Sequence, residues 1–303
     1  MEAEVIPVAL RVHLSHAALQ AIADDTGVDV LHVKGPAVAD ELRPSMPATS
    51  GTDAEETVPI PRLSSDADVL VRPRHLDTYM AALAAHGWRT VYRFETGSPF
   101  QHAASLWHHY LGYADIHRRF PGVGRDPEVA FDRFWSTRTT RMIAGYPCQV
   151  PAITTQRFLL LLHAARSGGP RHGDVQTVWQ RAREEDRQAV RSLARELRGE
   201  VALAAATGHL EDFRDDPQHD LWAMYTSGGT RLDEWRARLK AAPNLGAAAG
   251  VAVRSVLVNT DHLAVELGHK PSAREICSEF FARFAHAAED LRLAWRRRRE
   301  QRP

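Results

Sequence analysis

Cysteine is nearly absent from this chain: its 303 residues include two, Cys148 and Cys277. Two thiols build neither a disulfide framework nor a Cys-rich zinc site, and they read as buried or free thiols in a reducing compartment. A surplus of either charge is absent too. Lysines plus arginines and aspartates plus glutamates both number 38, so the formal net charge is zero. A general nucleic-acid binder carries a basic excess, which makes tRNA a less attractive partner here while leaving room for a local basic patch. Long apolar runs are missing as well. The strongest, Phe158–Leu162, is far short of the roughly 20 residues that a membrane-spanning helix needs. Met1–Val5 carries two glutamates, unlike the basic start of a secretory signal. The expectation is a cytoplasmic protein with no membrane partner. There is no internal repeat, and no nucleophile elbow or Ser/His/Asp order that would suggest a serine enzyme.

What is present is ordinary for a folded chain: 44% hydrophobic and 25% charged residues, in a length that allows two modest domains. The informative stretch is Arg62-Leu63-Ser64-Ser65-Asp66-Ala67-Asp68-Val69-Leu70-Val71, a polar turn running into a strand. At period two, Asp66, Asp68 and Leu70 share one face, and Ala67, Val69 and Val71 share the other. A strand that buries Val69 and Val71 therefore presents two carboxylates side by side. Such a pair repels itself unless a cation intervenes, and hard divalent ions favour oxygen ligands of this kind. Taken alone, Ser-Ser-Asp-Ala-Asp reads more readily as a solvated turn and helix cap than as a metal site.

Its neighbours add to it. Leu10–Asp24 has helical spacing. Val28–Val33 reads as a strand, and Lys34-Gly35-Pro36 then turns into a short helical run over Ala37–Leu42. Backbone N–H groups at such a turn can face an anion, and Lys34 adds a point charge. Arg43–Pro61 lacks periodicity and reads as a mobile loop. Pro73–His86 is helical and Trp88–Phe94 strand-like. His102–Tyr110 and Tyr113–Arg118 form two strands around Leu111-Gly112, with Asp115 and His117 on one face of the second. That strand brings a third carboxylate, and it can lie beside the first. Pro127–Trp135 is a short helix and Met142–Val150 the last strand-like segment. From Thr154 the pattern is helical, through Ser272–Trp295. The expected architecture is α+β: a small mixed sheet with flanking helices in residues 1–150, then an all-helical domain in residues 151–303.

Other residues have plainer readings. His163 sits mid-helix among leucines as a core histidine, and Asp174 caps a helix. His102, His108 and His109 match no zinc spacing and suit surface strand positions.

The run Leu31-His32-Val33-Lys34-Gly35, the stretch from Arg62 to Val71, Ala114-Asp115-Ile116-His117 and Leu160-Leu161-Leu162-His163-Ala164-Ala165 together resemble the bacterial uncharacterised nucleotidyltransferase family. That family lies within the polymerase-beta-like nucleotidyltransferases. The resemblance covers about residues 25 to 185. It implies two-metal transfer of a nucleoside monophosphate from a nucleoside triphosphate to an acceptor, with Mg²⁺ or Mn²⁺ as cofactor. Asp66 and Asp68 would hold the ions against the triphosphate. Asp115 would ligate the ion that activates the acceptor oxygen, and could take its proton. Lys34, Gly35, Arg62, Ser64 and Ser65 would contact phosphates, and His117 would orient Asp115 or touch the nucleotide. The acceptor would be a peptide, a protein or a small molecule. The superfamily's Gly-Ser turn is replaced here by Lys34-Gly35 and a long insertion. That departure keeps open an alternative, a non-catalytic nucleotide- or peptide-binding protein on the same fold. With the three aspartates in one metal site, Asp68→Asn is expected to abolish metal-dependent triphosphate binding at no cost in stability.

Overall fold

Alternation along Asp66–Val71 sends the apolar residues of one strand into two different cores, and the rest of the fold is arranged around that split. The computed structural model describes residues 6–47, 57–98, 100–242 and 244–282. The chain opens with α1 (Val8–Thr26) and β1 (Val30–Val33), followed by 3-10 turns at Gly35–Ala37 and Asp40–Leu42. Short strands β2 (Ser45–Pro47) and β3 (Thr57–Pro59) precede β4 (Asp66–Val71), α2 (Leu76–Ala85) and β5 (Arg89–Tyr92). Next come β6 (Ala103–His108), β7 (Gly112–His117), α3 (Pro127–Trp135), β8 (Thr139–Ile143) and β9 (Tyr146–Val150). The helical part holds α4 (Ile153–Arg166), α5 (Gly173–Val175, continued by a π-turn over Gln176–Gln180), α6 (Glu184–Glu196), α7 (Glu200–Thr207), α8 (His219–Ser227) and α9 (Arg231–Lys240). The fold is α+β.

Five strands form one mixed sheet in the order β1-β4-β7-β6-β5. β4 runs parallel to β7 and antiparallel to β1, and β6 runs antiparallel to both β7 and β5. Ala67, Val69 and Val71 join Ala114 and Ile116 of β7 in a core closed by Leu19 and Ile22 of α1 and Tyr79 and Leu83 of α2. The Tyr79 hydroxyl is satisfied inside it, donating to the Leu19 carbonyl at 2.8 Å. Leu70 goes to the opposite face with Leu31 and Val33 of β1. There it meets Phe131 and Phe134 of α3 and the run Phe158–Leu162 of α4. Each such Val or Leu contributes about 1.5–3 kcal/mol by leaving water. Helices therefore cover the sheet on both sides, and Asp66, Asp68, Asp115 and His117 share the α3/α4 side with Leu70.

Local signals account for several boundaries. Asp126 caps α3 by accepting from Glu128 N at 3.0 Å and Val129 N at 3.3 Å, with Pro127 at the first helical position. α3 is tied to the sheet by Arg72, whose Nε donates to Asp29 at 2.6 Å and whose Nη1 donates to Glu128 at 3.0 Å and to Asp132.

Three segments differ from their sequence reading. The ends of the expected 43–61 loop pair as an antiparallel ladder, Met46 opposite Val58; its centre lies outside the described residues. β8 begins three residues before the apolar signal at Met142, because Thr139 and Thr140 pair with Val150 and Gln149 on a mostly exposed strand that needs no apolar alternation. The expected Ser272–Trp295 helix is helical over 273–282, and its remainder lies outside the described residues.

The chain separates into two compact units, residues 1–241 and 242–303. The second unit holds α10 (Leu245–Val256), capped by Asn244, and α11 (Thr260–Leu267), capped by Asn259. Among the described residues no helix is long and apolar enough to cross a membrane.

Candidate metal and nucleotide site

The parallel register of β4 and β7 sets Asp68 opposite Asp115, so two carboxylates leave the same sheet face from adjacent strands. Asp68 is 2% exposed. Lys34 Nζ donates to its Oδ1 at 2.6 Å, and His117 Nε2 donates to the same oxygen at 2.8 Å. Burial works to raise the Asp68 pKa, but the Lys34 ammonium and the His117 hydrogen bond outweigh it and hold the carboxyl well below the usual carboxylate range. Such a group is fully ionised at neutral pH.

Asp66 behaves in the opposite way. Burial, then the negative charges of Asp68 and Asp115, raise its pKa against the weaker pull of Lys34 and Ser65. Ser64 Oγ donates to the Asp66 carbonyl at 2.8 Å, and Ser65 Oγ donates to its Oδ1 at 3.2 Å. Asp115 is half-buried and accepts from Ser105 Oγ at 2.6 Å. One ligand atom each from Asp68, Asp115 and His117 falls within a 4.8 Å cluster able to hold a metal ion. Two carboxylates with one imidazole, and a third carboxylate destabilised by its neighbours, make a donor set that suits a hard divalent cation such as Mg²⁺ or Mn²⁺. His117 Nδ1 is buried without a hydrogen-bond partner. The ion pair also removes the expectation that Asp68→Asn is free of cost: the buried carboxylate is tied into the fold by the buried His117 and the half-buried Lys34.

The Lys34-Gly35 turn is shaped by backbone that most residues avoid. Lys34 itself adopts φ 62° and Gly35 φ 47°, conformations costly for side chains bearing Cβ. A Cβ on Gly35 would meet Ser64 Cβ at 3.2 Å and His16 Nε2 at 3.8 Å, so the turn lies closely against the Ser64 loop. His16 and His32 form a buried pair below it, with Nδ1 to Nδ1 at 2.7 Å. Gln20 Oε1 accepts from Gln149 N at 3.0 Å and lies 3.1 Å from His32 Nε2, which therefore donates to it. That leaves His32 Nδ1 as acceptor and His16 Nδ1 as donor. His16 Nε2 is then a bare lone pair, buried without a partner. Burial pushes the His16 pKa down to about 4, so the ring is neutral.

Arg62 does not stand free beside the carboxylates. It forms a two-pronged ion pair with Asp174, Nη2 donating to Oδ2 at 2.7 Å. Burial raises the Asp174 pKa, and the Arg62 hydrogen bond and charge more than reverse this. Asp174 is not the helix cap expected from sequence; His172 is, accepting from Asp174 N at 3.2 Å.

Of the residues singled out in the sequence, Asp68, Asp115 and His117 cluster and Lys34 reaches Asp68. Asp66 lies near enough to feel the charges of Asp68, Asp115 and Lys34. Gly35 packs against Ser64, Ser64 and Ser65 hydrogen-bond to Asp66, and Arg62 is held by Asp174 of α5. Sequence reading passed over the far wall. His102 is 6% exposed, not a surface residue. Its ring centroid lies 5.2 Å from that of His117, and its Nε2 accepts from Arg166 at the end of α4. Burial pushes the His163 pKa down to about 3, aided by Lys34 and Arg166. Nothing in the local sequence distinguishes these residues from core or surface positions.

A family model described as "uncharacterised nucleotidyltransferase" matches residues 56–215. No curated protein matches the chain. Among solved structures, a lincomycin-bound lincosamide antibiotic adenylyltransferase, LnuA, is similar at 15% identity and TM-score 0.33, over 63% of this chain and 98% of that one. An antigenic nucleotidyltransferase-like protein from Paracoccidioides brasiliensis is similar at 14% identity and TM-score 0.32, over 67% and 95%.

Proposed function

The chain belongs to the uncharacterised nucleotidyltransferase family, and from that premise we propose that it moves a nucleoside monophosphate from a nucleoside triphosphate to an acceptor hydroxyl or equivalent nucleophile. The acceptor is a peptide, a protein or a small molecule. The observation that carries the reading is the register of Asp68 against Asp115, with the Asp66 pKa raised by burial and then by the charges of both of them. Three acids crowded on one face of a sheet have a physical reason to be there if a divalent cation is their partner.

Asp66, Asp68 and Asp115 would hold Mg²⁺ or Mn²⁺, which supplies charge neutralisation at the entering and leaving oxygens of an in-line displacement. The acceptor oxygen bonds to the α-phosphorus, the bond from the α-phosphorus to the bridging oxygen breaks, and pyrophosphate leaves. Asp115, fixed by the Ser105 hydroxyl at 2.6 Å, receives the acceptor's proton. Lys34 balances the Asp68 charge in the unliganded protein; with that charge balanced by a cation, its ammonium is available to a phosphate oxygen. Ser64 and Ser65, which brace Asp66, and the N–H groups of the Lys34-Gly35 turn offer further donors. Arg62 would reach phosphate on release from Asp174.

One observation favours a second reading, in which the fold binds a nucleotide or peptide without catalysis. Lys34 and His117 already satisfy Asp68, as they would in a protein that holds no metal. The two readings separate on incubation of the protein with α-³²P-labelled nucleoside triphosphates, Mg²⁺ or Mn²⁺ and a cell extract. Transfer of the α-label to an acceptor, absent with Asp115→Asn, supports catalysis. Nucleotide binding by the wild type with no transfer from any of the four triphosphates supports the non-catalytic reading.

A further inference from the structure

Two of the cations around the carboxylates are held in ion pairs, Lys34 with Asp68 and Arg62 with Asp174. Arg166 is not: no carboxylate oxygen of the described residues lies within ion-pair distance of it. Its guanidinium is half-buried where α4 ends. Nη1 donates to His102 Nε2 at 2.9 Å, and the buried Nε has no hydrogen-bond partner. Its Cζ lies 6.0 Å from the Phe100 ring centre and 5.9 Å from that of Phe120, whose ring stacks on His117 at 6.1 Å. The guanidinium is thus one imidazole away from the group that touches Asp68, and it feels the charges of both Asp68 and Asp115.

A charged side chain drawn partly out of water without a counter-ion is costly, and this one is also held in place. Arginine has no lone pair to offer, so His102 Nε2 must be the acceptor and its proton sits on Nδ1, which donates to Ser98 Oγ at 2.5 Å. Burial keeps the His102 ring neutral, as that arrangement requires. The Ser98–His102–Arg166 chain fixes one N–H of the fork, and among the described residues the fork's other N–H groups have no hydrogen-bond partner. A planar fork of donors with an uncompensated positive charge fits phosphate oxygens.

We propose that Arg166 binds the β- and γ-phosphates of the nucleoside triphosphate from the α4 side, opposite the carboxylates, with His102 as its positioning residue. The inference rests on the nucleotidyl-transfer reading above. In the reaction the same contact takes up the negative charge that develops on departing pyrophosphate.

The test is calorimetric titration of inorganic tripolyphosphate, and of each nucleoside triphosphate, with Mg²⁺ into the full chain. Arg166→Met should weaken tripolyphosphate binding about tenfold or more, and Arg166→Lys, which keeps the charge but loses the fork, should weaken it by less. His102→Phe should weaken it too, with recovery in His102→Gln, whose amide oxygen can accept from Arg166; a merely structural histidine would show no such recovery. Should Arg166→Met fail to fold, the Lys and His102 variants carry the same comparison. Wild-type affinity in the folded Arg166 variants, alongside loss of binding in Asp66→Asn/Asp115→Asn, would overturn the role of Arg166 and leave nucleotidyl transfer standing. No binding of tripolyphosphate or any triphosphate by the wild type would overturn both.

Discussion

Lys34 Nζ lies 2.6 Å from Asp68 Oδ1, across the gap between a strained turn and the centre of the sheet. The pair is nearly sequestered, with side-chain exposures of 17% and 2%. Removing one member of such a pair leaves an uncompensated buried charge. Lys34→Met should therefore lower stability by about 3 kcal/mol in the absence of divalent cations. Mg²⁺ or Mn²⁺ should recover more of the melting temperature in this variant than in the wild type, because Asp68 then has no competing ammonium. Thermal melts with and without the ion check both statements, and equal recovery in the two proteins would speak against a cation at Asp68.

Asp66 and Asp68 should contribute to pH dependence with opposite sign. The Asp68 pKa is depressed by folding, so its stabilisation is present above the ordinary carboxylate range and is lost progressively as the pH falls below that range. The Asp66 pKa is raised, so ionised Asp66 opposes folding, and its contribution improves as the pH falls into that range. Asp66→Asn should raise the metal-free melting temperature at pH 7 while abolishing its response to Mg²⁺. A variant that melts lower at pH 7 and still responds to the ion would contradict this.

Gly35→Ala combines two penalties, a positive φ and a new Cβ 3.2 Å from Ser64 Cβ. The expected cost is about 1–2 kcal/mol. Because the displaced groups are Ser64 and the Lys34 turn, triphosphate affinity should fall as well. Denaturant titration and calorimetry measure the two effects separately.

His16 provides a second pH signature at the same turn. Its ordinary pKa of 6.5 is pushed down to about 4 by burial, so the unfolded chain binds the proton first as pH falls. The His16 contribution is intact above pH 6.5 and is lost progressively towards pH 4. His16→Gln should flatten the fall of melting temperature over that window; an unchanged slope would show that the ring does not stay neutral when folded.

Strand β4 was legible because alternation is local: the positions of Ala67, Val69 and Val71 follow from period two alone, and the same holds for Asp115 and His117 on β7. α3 was legible from Pro127 and the aromatic residues Phe131, Phe134 and Trp135; its Asp126 cap was not. The pairing of Asp68 with Asp115 needed only the guess that two strands are neighbours. The Arg62–Asp174 pair joins positions 112 residues apart, and Arg166 meets His102 over a separation of 64. No periodicity encodes such contacts, since they arise when α4 and α5 fold back over the sheet. His102 reads as a surface residue because it stands just before β6, whose burial does not alternate cleanly; α4, whose Arg166 meets it, is remote in sequence. Short ladders such as Met46 with Val58 leave no apolar pattern at all.

The most direct measurement of the central claim is calorimetric titration of the four nucleoside triphosphates, with and without Mg²⁺, into wild type and Asp66→Asn/Asp115→Asn. These two acids have no ion-pair partner among the described residues, so their replacement leaves the Lys34–Asp68 pair intact. Metal-dependent binding of at least one triphosphate by the wild type, lost in the folded variant, is the predicted result. Binding that is indifferent to Mg²⁺ and to both substitutions would contradict a metal-dependent nucleotide site on these carboxylates.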